Sequence, residues 1–135
     1  MLDIKRIRET PDEVREGLKR RWMDPALVDA VLELDGQRRA LVTEVDSLKA
    51  KRNEVSKSIG VRVKAGEDVT AIKEEMRALG DEIAAKDIEI RSVDEAFRAA
   101  MLRIPNVPNK DIATGPDSSH NRDVRHVGEE RVFDF

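Results

Sequence analysis

Ten positions, 27, 31, 34, 38, 41, 45, 48, 52, 55 and 59, step along the chain by alternating four and three without a break. They read Leu, Val, Leu, Arg, Leu, Val, Leu, Arg, Val, Ile, so eight of the ten are apolar. A 3.5-residue hydrophobic repeat of this length is a coiled-coil seam, because it keeps one stripe of a helix against a partner. A second set at 69, 72, 76, 79, 83, 86, 90, 93, 97, 100 and 104 has ten apolar members of eleven, the exception being Lys86. Pro105 stops that helix. Residues 60–68 contain Gly60 and Gly66 and are too few for a parallel return, so the two helices fold back as an antiparallel hairpin. Each arm is roughly 50 Å long at 1.5 Å per residue. Gly60 is expected to end the first arm in a left-handed cap.

The seams admit two registers. In one, Arg38 faces Lys86, a like-charge layer in mid-seam. In the other, Arg38, Lys86 and Arg52 each face an apolar partner: Val93, Val45 and Leu79. A single charged head can lean out to water, whereas two facing cations repel, so the second register is preferred. Lys51 is expected to meet Glu75 across the hairpin.

The segment before the hairpin reads as one short helical unit, residues 1–24. Thr10, Pro11 and Glu13 form a helix start with the elements of a capping box. Val14, Leu18 and Trp22 recur every four residues, and Trp22 is expected in the core at the base of the hairpin. Asp24-Pro25 opens the long helix. The arm proper is 25–104. Residues 105–135 lose the helical period, with turn-rich runs at 105–109 and 114–119. Arg131 to Phe135 alternates like the start of a strand, which suggests a linker into a further domain. The expected fold class is all-α: an antiparallel coiled-coil hairpin, a short helix packed at its base, and an irregular C-terminal linker.

Composition narrows the chemistry. With no cysteine, disulfides and thiol nucleophiles are excluded, and two histidines without ligand spacing do not suggest a metal. No apolar run approaches the ~18 residues of a membrane helix, so a cytoplasmic protein with no membrane partner is expected. No phosphate-cradling glycine loop or catalytic Ser/His/Asp set occurs. The net charge of −3 hides a dipole: residues 46–66 carry six basic against two acidic side chains, while 67–103 carry six against ten. A projecting arm with a basic end suits a polyanion such as RNA. Four aromatics in the whole chain, none in this patch, point to phosphate and shape recognition over base stacking.

Several runs add a resemblance. Leu34-Asp35, Arg38-Arg39, Leu48-Lys49, Arg52-Asn53, Ser56-Lys57 and Ile59-Gly60, with Ile104-Pro105-Asn106, Gly115, Asp117, Val124-Arg125 and Phe133-Asp134-Phe135, are similar to the N-terminal domain of bacterial seryl-tRNA synthetases. The likeness spans the chain. Gly36, Asn109 and Val127 depart from the family pattern, and Gly36 costs up to ~1 kcal/mol of helix propensity.

The resemblance implies that the arm holds the long variable arm and elbow of serine tRNA. A class II catalytic domain beyond residue 135 would then attach serine using ATP and Mg. It implies a homodimeric parent enzyme, a monomeric and catalytically inactive fragment without cofactor, and no DNA partner. Candidate tRNA contacts are Arg39, Lys49, Lys51, Lys57, Arg62, Lys64, Lys73 and Arg77. Two alternatives stay open: a free-standing coiled-coil scaffold or adaptor, for which Val42, Ile88, Val61 and Val63 are the exposed apolar candidates, and a nonspecific RNA-binding arm.

Overall fold

The computed structural model describes residues 2–129 and 131–134. Four helices follow in order: α1 (Ile4–Glu9), α2 (Pro11–Lys19), α3 (Ala26–Lys64) and α4 (Thr70–Arg103), with a short 3-10 turn at Ser118–His120. No strand occurs among the described residues. The chain is all-α, and α3 packs along α4 as a helical hairpin. At 39 and 34 residues, the two arms are ~58 and ~51 Å long.

The seam is realised along its whole length. All ten positions of the first set and all eleven of the second are buried or half-buried. The cross-hairpin ion pairs fix the register. Arg38 pairs with Asp94, the neighbour of Val93, and Lys86 Nζ lies 3.1 Å from Glu44, the neighbour of Val45. Arg38 and Lys86 thus sit at different levels, each with its own acid, as the preferred register requires. Lys51 Nζ reaches Glu75 at 3.3 Å, the expected pair. The hydrogen bond from Lys86 to Glu44 holds its ammonium above the ordinary lysine value.

The largest core lies at the base. Leu2, Ile7, Val14 and Leu18 from the N-terminal helices close on Val28, Val31, Met101 and Ile104. Arg8 of α1 reaches across to Asp35 of α3, whose carboxylate is almost fully buried, at 3.3 Å. The tail returns over α2: Val107 sits on Gly17, and Arg20 donates to the carbonyls of Lys110 and Ile112 at 3.1 and 2.9 Å. A Cβ on Gly17 would meet Val107 Cγ1 at 3.1 Å, so the bare backbone there admits the tail.

Several local expectations are corrected. The N-terminal unit holds two helices, because Asp3 caps an additional one by accepting from Lys5 N at 2.9 Å. Thr10 is the joint between them. Its hydroxyl donates back to Arg6 O at 3.1 Å, and Glu13 accepts from Arg6 at 2.7 Å, so the capping box does not form. That hydrogen bond lowers the pKa of Glu13.

Trp22 is 70% exposed and outside the core. Helix α2 ends at Lys19, and Trp22 takes φ 55 in a Schellman turn, with Trp22 N donating to Lys19 O and Met23 N to Leu18 O. The turn leaves the four-residue spacing at Leu18 and sends the indole outward.

Gly60 does not end α3. The helix runs four residues further, and Gly66 (φ 77) carries the left-handed cap, with Gly66 N donating to Val63 O and Glu67 N to Arg62 O. The loop is correspondingly tighter than 60–68. Residues 131–134 form no strand, since a strand needs a partner ladder and no other strand occurs among the described residues. Phe135 lies outside the described residues.

The two glycines give opposed predictions, as neither position has a neighbour within 4 Å of an added Cβ. Gly66→Ala should lose about 1 kcal/mol, because only glycine enters the left-handed region without steric cost. Gly60→Ala should gain roughly 0.5–1 kcal/mol in mid-helix. Denaturant unfolding of both variants checks the pair, and equal signs would reject the cap assignment.

Candidate nucleic-acid interface

A two-helix hairpin has one seam and two lateral edges. In an antiparallel pair, residues just after a seam position share one edge on both helices, and residues just before it share the other. The ion pairs obey this rule. Lys49 and Asp87 follow seam positions and meet at 3.5 Å on the first edge. Lys51 and Glu75 precede seam positions and meet on the second.

The eight candidate contacts therefore do not form one patch. Arg39, Lys49, Lys73 and Arg77 lie along the first edge. Lys51 lies on the second. Lys57 and Lys64, seven residues apart, stand on the back of α3, and Arg62 sits at the tip, 3.7 Å from Glu67. Lys49, Lys51 and Arg62 are each engaged by an acid. Arg39, Lys57, Lys64, Lys73 and Arg77 are exposed, with no carboxylate within ion-pair distance among the described residues. An exposed, unpaired cation can exchange its counterion for a phosphate without breaking an internal bond. These five are the better-suited members.

Arg91 and Arg98 have the same character and escaped the sequence reading. Both follow seam positions, in register with Arg77, and both are exposed and unpaired among the described residues. Charge counted by segment hides them, because residues 67–103 are net acidic; counting by helical row would have found them. Arg52, a seam residue, is half-buried, with no carboxylate within ion-pair distance among the described residues.

At the tip, the Asp68 carboxylate accepts from Thr70 N at 2.9 Å and Thr70 Oγ1 at 2.7 Å, closing the first turn of α4. The exposed apolar side chains Val42, Val61, Val63 and Ile88 do not share a stripe: Val42 follows a seam position on α3, Val61 and Val63 lie beyond its last seam position, Ile59, and Ile88 is on the back of α4. Among the described residues no three His, Asp or Glu side chains group as metal ligands, and no helix is long and apolar enough to cross a membrane.

A family model for the seryl-tRNA synthetase N-terminal domain matches residues 1–108. The chain belongs to that family. It is 52% identical over 135 residues to the serine–tRNA ligase of Roseiflexus castenholzii and 50% identical to that of Thermomicrobium roseum. All of this chain is covered in both cases, yet it spans only 32% and 30% of those relatives. The seryl-tRNA synthetase of Pyrococcus horikoshii complexed with ATP matches with a TM-score of 0.80 and 30% identity, over 88% of this chain and 27% of that one. The cytoplasmic serine–tRNA ligase of Naegleria fowleri in complex with AMP matches at 0.79 and 25% identity, over 97% and 36%. The hairpin and its base therefore belong to the N-terminal domain architecture of this ligase family.

The tip cap sets a pH dependence. Hydrogen bonds from the Thr70 hydroxyl, then the Thr70 amide, hold Asp68 below the ordinary aspartate value. Its stabilising contribution is present above that ordinary value and is lost as pH falls through the depressed folded one. Asp68→Ala should lower the unfolding midpoint at pH 7, and the gap to the parent should close in strong acid. A gap that stays constant with pH would show that the carboxylate charge contributes nothing to the cap.

Proposed function

We propose that this chain is the tRNA-binding arm of a cytoplasmic serine–tRNA ligase. In this reading the arm (25–104) holds the long variable arm and elbow of serine tRNA. Residues 1–24 and the base core set its angle, and residues 105–135 lead into a class II catalytic domain that attaches serine with ATP and Mg. That chemistry lies outside this chain, which on its own binds tRNA and catalyses nothing. The parent enzyme acts as a homodimer, and this fragment is monomeric.

The observation that carries the reading is the set of exposed cations, unpaired among the described residues, on a long helical hairpin in a chain of this family. Arginine and lysine heads on a helix surface engage phosphate and ribose, and a stem of variable sequence in A-form geometry leaves little else to read. Affinity then comes from charge, and discrimination from reach. An arm ~50 Å long meets a long variable stem only in a tRNA that has one. The scaffold alternative has less support, because the exposed valines and Ile88 are scattered singly, as on ordinary surfaces.

Competition binding tests this directly. A serine tRNA should bind at least ~10-fold more tightly than a tRNA lacking the long variable arm, equivalent to 1.4 kcal/mol. Deleting one matched heptad from each helix should erode that ratio while leaving nonspecific RNA affinity nearly unchanged. Equal affinity for both tRNAs would favour the nonspecific arm, and no RNA binding at all would favour the scaffold.

A further inference from the structure

The geometry points to Arg20 as a positioning residue: it fixes the direction in which the chain leaves the base, and through it the angle between the arm and the domain that follows. The inference rests on the reading of this chain as the tRNA-binding arm of a serine–tRNA ligase. It adds to that reading a residue that acts without touching RNA.

Helix α4 ends at Arg103, and the tail beyond it is irregular. Two seats hold the tail against α2. Val107 rests on Gly17, and Arg20 Nη2 donates to Lys110 O at 3.1 Å and to Ile112 O at 2.9 Å. One seat fixes a place, whereas two fix a direction. The second seat receives a closed turn, because Ile112 N donates to Asn109 O at 3.2 Å. Among the described residues from 108 to 120, no other hydrogen bond joins tail to helix.

Arg20 is itself well held. It caps the C-terminus of α2, its amide donating to Glu16 O at 3.0 Å, and the left-handed turn at Trp22 follows at once. Helix α2 is fastened to α3 by Val14 and Leu18 in the base core and by Arg15, which bridges Asp12 and Asp29. Arm, α2 and tail thus form one connected frame. Both carbonyls lie in an exposed segment, where water would satisfy them nearly as well. Satisfaction therefore does not account for the contact. What water cannot do is hold the tail against α2.

Leverage makes the seat matter. An arm ~50 Å long that turns by about 10° at its foot carries its tip ~9 Å. Misplacing a reacting group by about 1 Å can cost ~100-fold in rate. Without the second seat, residues 108–114 act as a short flexible linker with an r.m.s. reach of ~15 Å. A tRNA held by the arm would then lose its fixed path to the site of aminoacylation.

The chain has no cysteine, so two introduced ones carry spin labels without interference. With labels at Ala50→Cys on the arm and Thr114→Cys on the tail, both exposed positions, the parent should give one narrow distance distribution. Arg20→Gln should broaden it towards ~15 Å, while helicity by circular dichroism and affinity for serine tRNA stay parental. Arg21→Gln removes the same charge next door, from an exposed side chain outside the clasp, and should leave the distribution narrow. In the full-length ligase, Arg20→Gln should lower tRNA charging at least ~10-fold. Serine-dependent ATP–pyrophosphate exchange, which needs no tRNA, should hold at the parental rate. An unchanged distribution in Arg20→Gln overturns the clasp. A broadened one with parental charging overturns the positioning role, and so does a loss of exchange that matches the loss of charging. If the parent chain binds no serine tRNA, the arm reading fails and the positioning role falls with it, while the distances still show whether Arg20 holds the tail.

Discussion

The antiparallel seam between α3 and α4 is a contact only two rows wide, and this narrowness governs the rest of the molecule. A globular core hides several faces of each helix; a hairpin hides one. Every other row must be solvated, which is why so much of the chain is charged. The seam also fixes what those charges meet, because register determines that Lys49 finds Asp87 and Lys51 finds Glu75. Exposed pairs of this kind are worth only ~0–1 kcal/mol each. Their consequence lies less in stability than in which cations they leave free.

Such a thin contact needs an anchor, and the base supplies it. There the helices gain a second layer from α1, α2 and the returning tail, and fully buried side chains such as Ile7, Leu18, Val28 and Val31 accumulate. The Arg8–Asp35 pair fastens α1 to α3 at the edge of this core. Asp35 is shielded while Arg8 remains partly in water, so loss of the arginine strands a buried carboxylate, the costlier half of such a pair to leave alone. Stability is thus graded along the arm: thick and cooperative at the base, a single seam towards the tip.

The sequence made legible whatever depends on periodicity. Seam, antiparallel return and the stop at Pro105 follow from spacing, and the register follows once the repulsion between Arg38 and Lys86 is weighed. What it concealed depends on single backbone choices. Gly60 has the right residue type for a helix end, but Gly66 also does, and only the geometry of the last turn selects between them. Trp22 keeps a helical spacing from Leu18, yet the helix has already closed into a left-handed turn. The Arg8–Asp35 clamp joins residues 27 apart on different helices, beyond any local rule. Of the candidate interface, the basic character was readable and its spread over both edges, the back and the tip was not. That spread appears only when charge is sorted by helical row and when cations spent on internal acids are set apart.

Trp22 has a practical meaning as well. It is the only tryptophan in the chain and it stands largely in solvent at the foot of the hairpin. A side chain this exposed should emit as a hydrated indole does, so melting the arm should change its colour very little. The dye that nature provided is blind to unfolding. It is well placed, though, to report on whatever body covers the base, since any dry neighbour would shift its spectrum to the blue while the helices themselves stay optically silent.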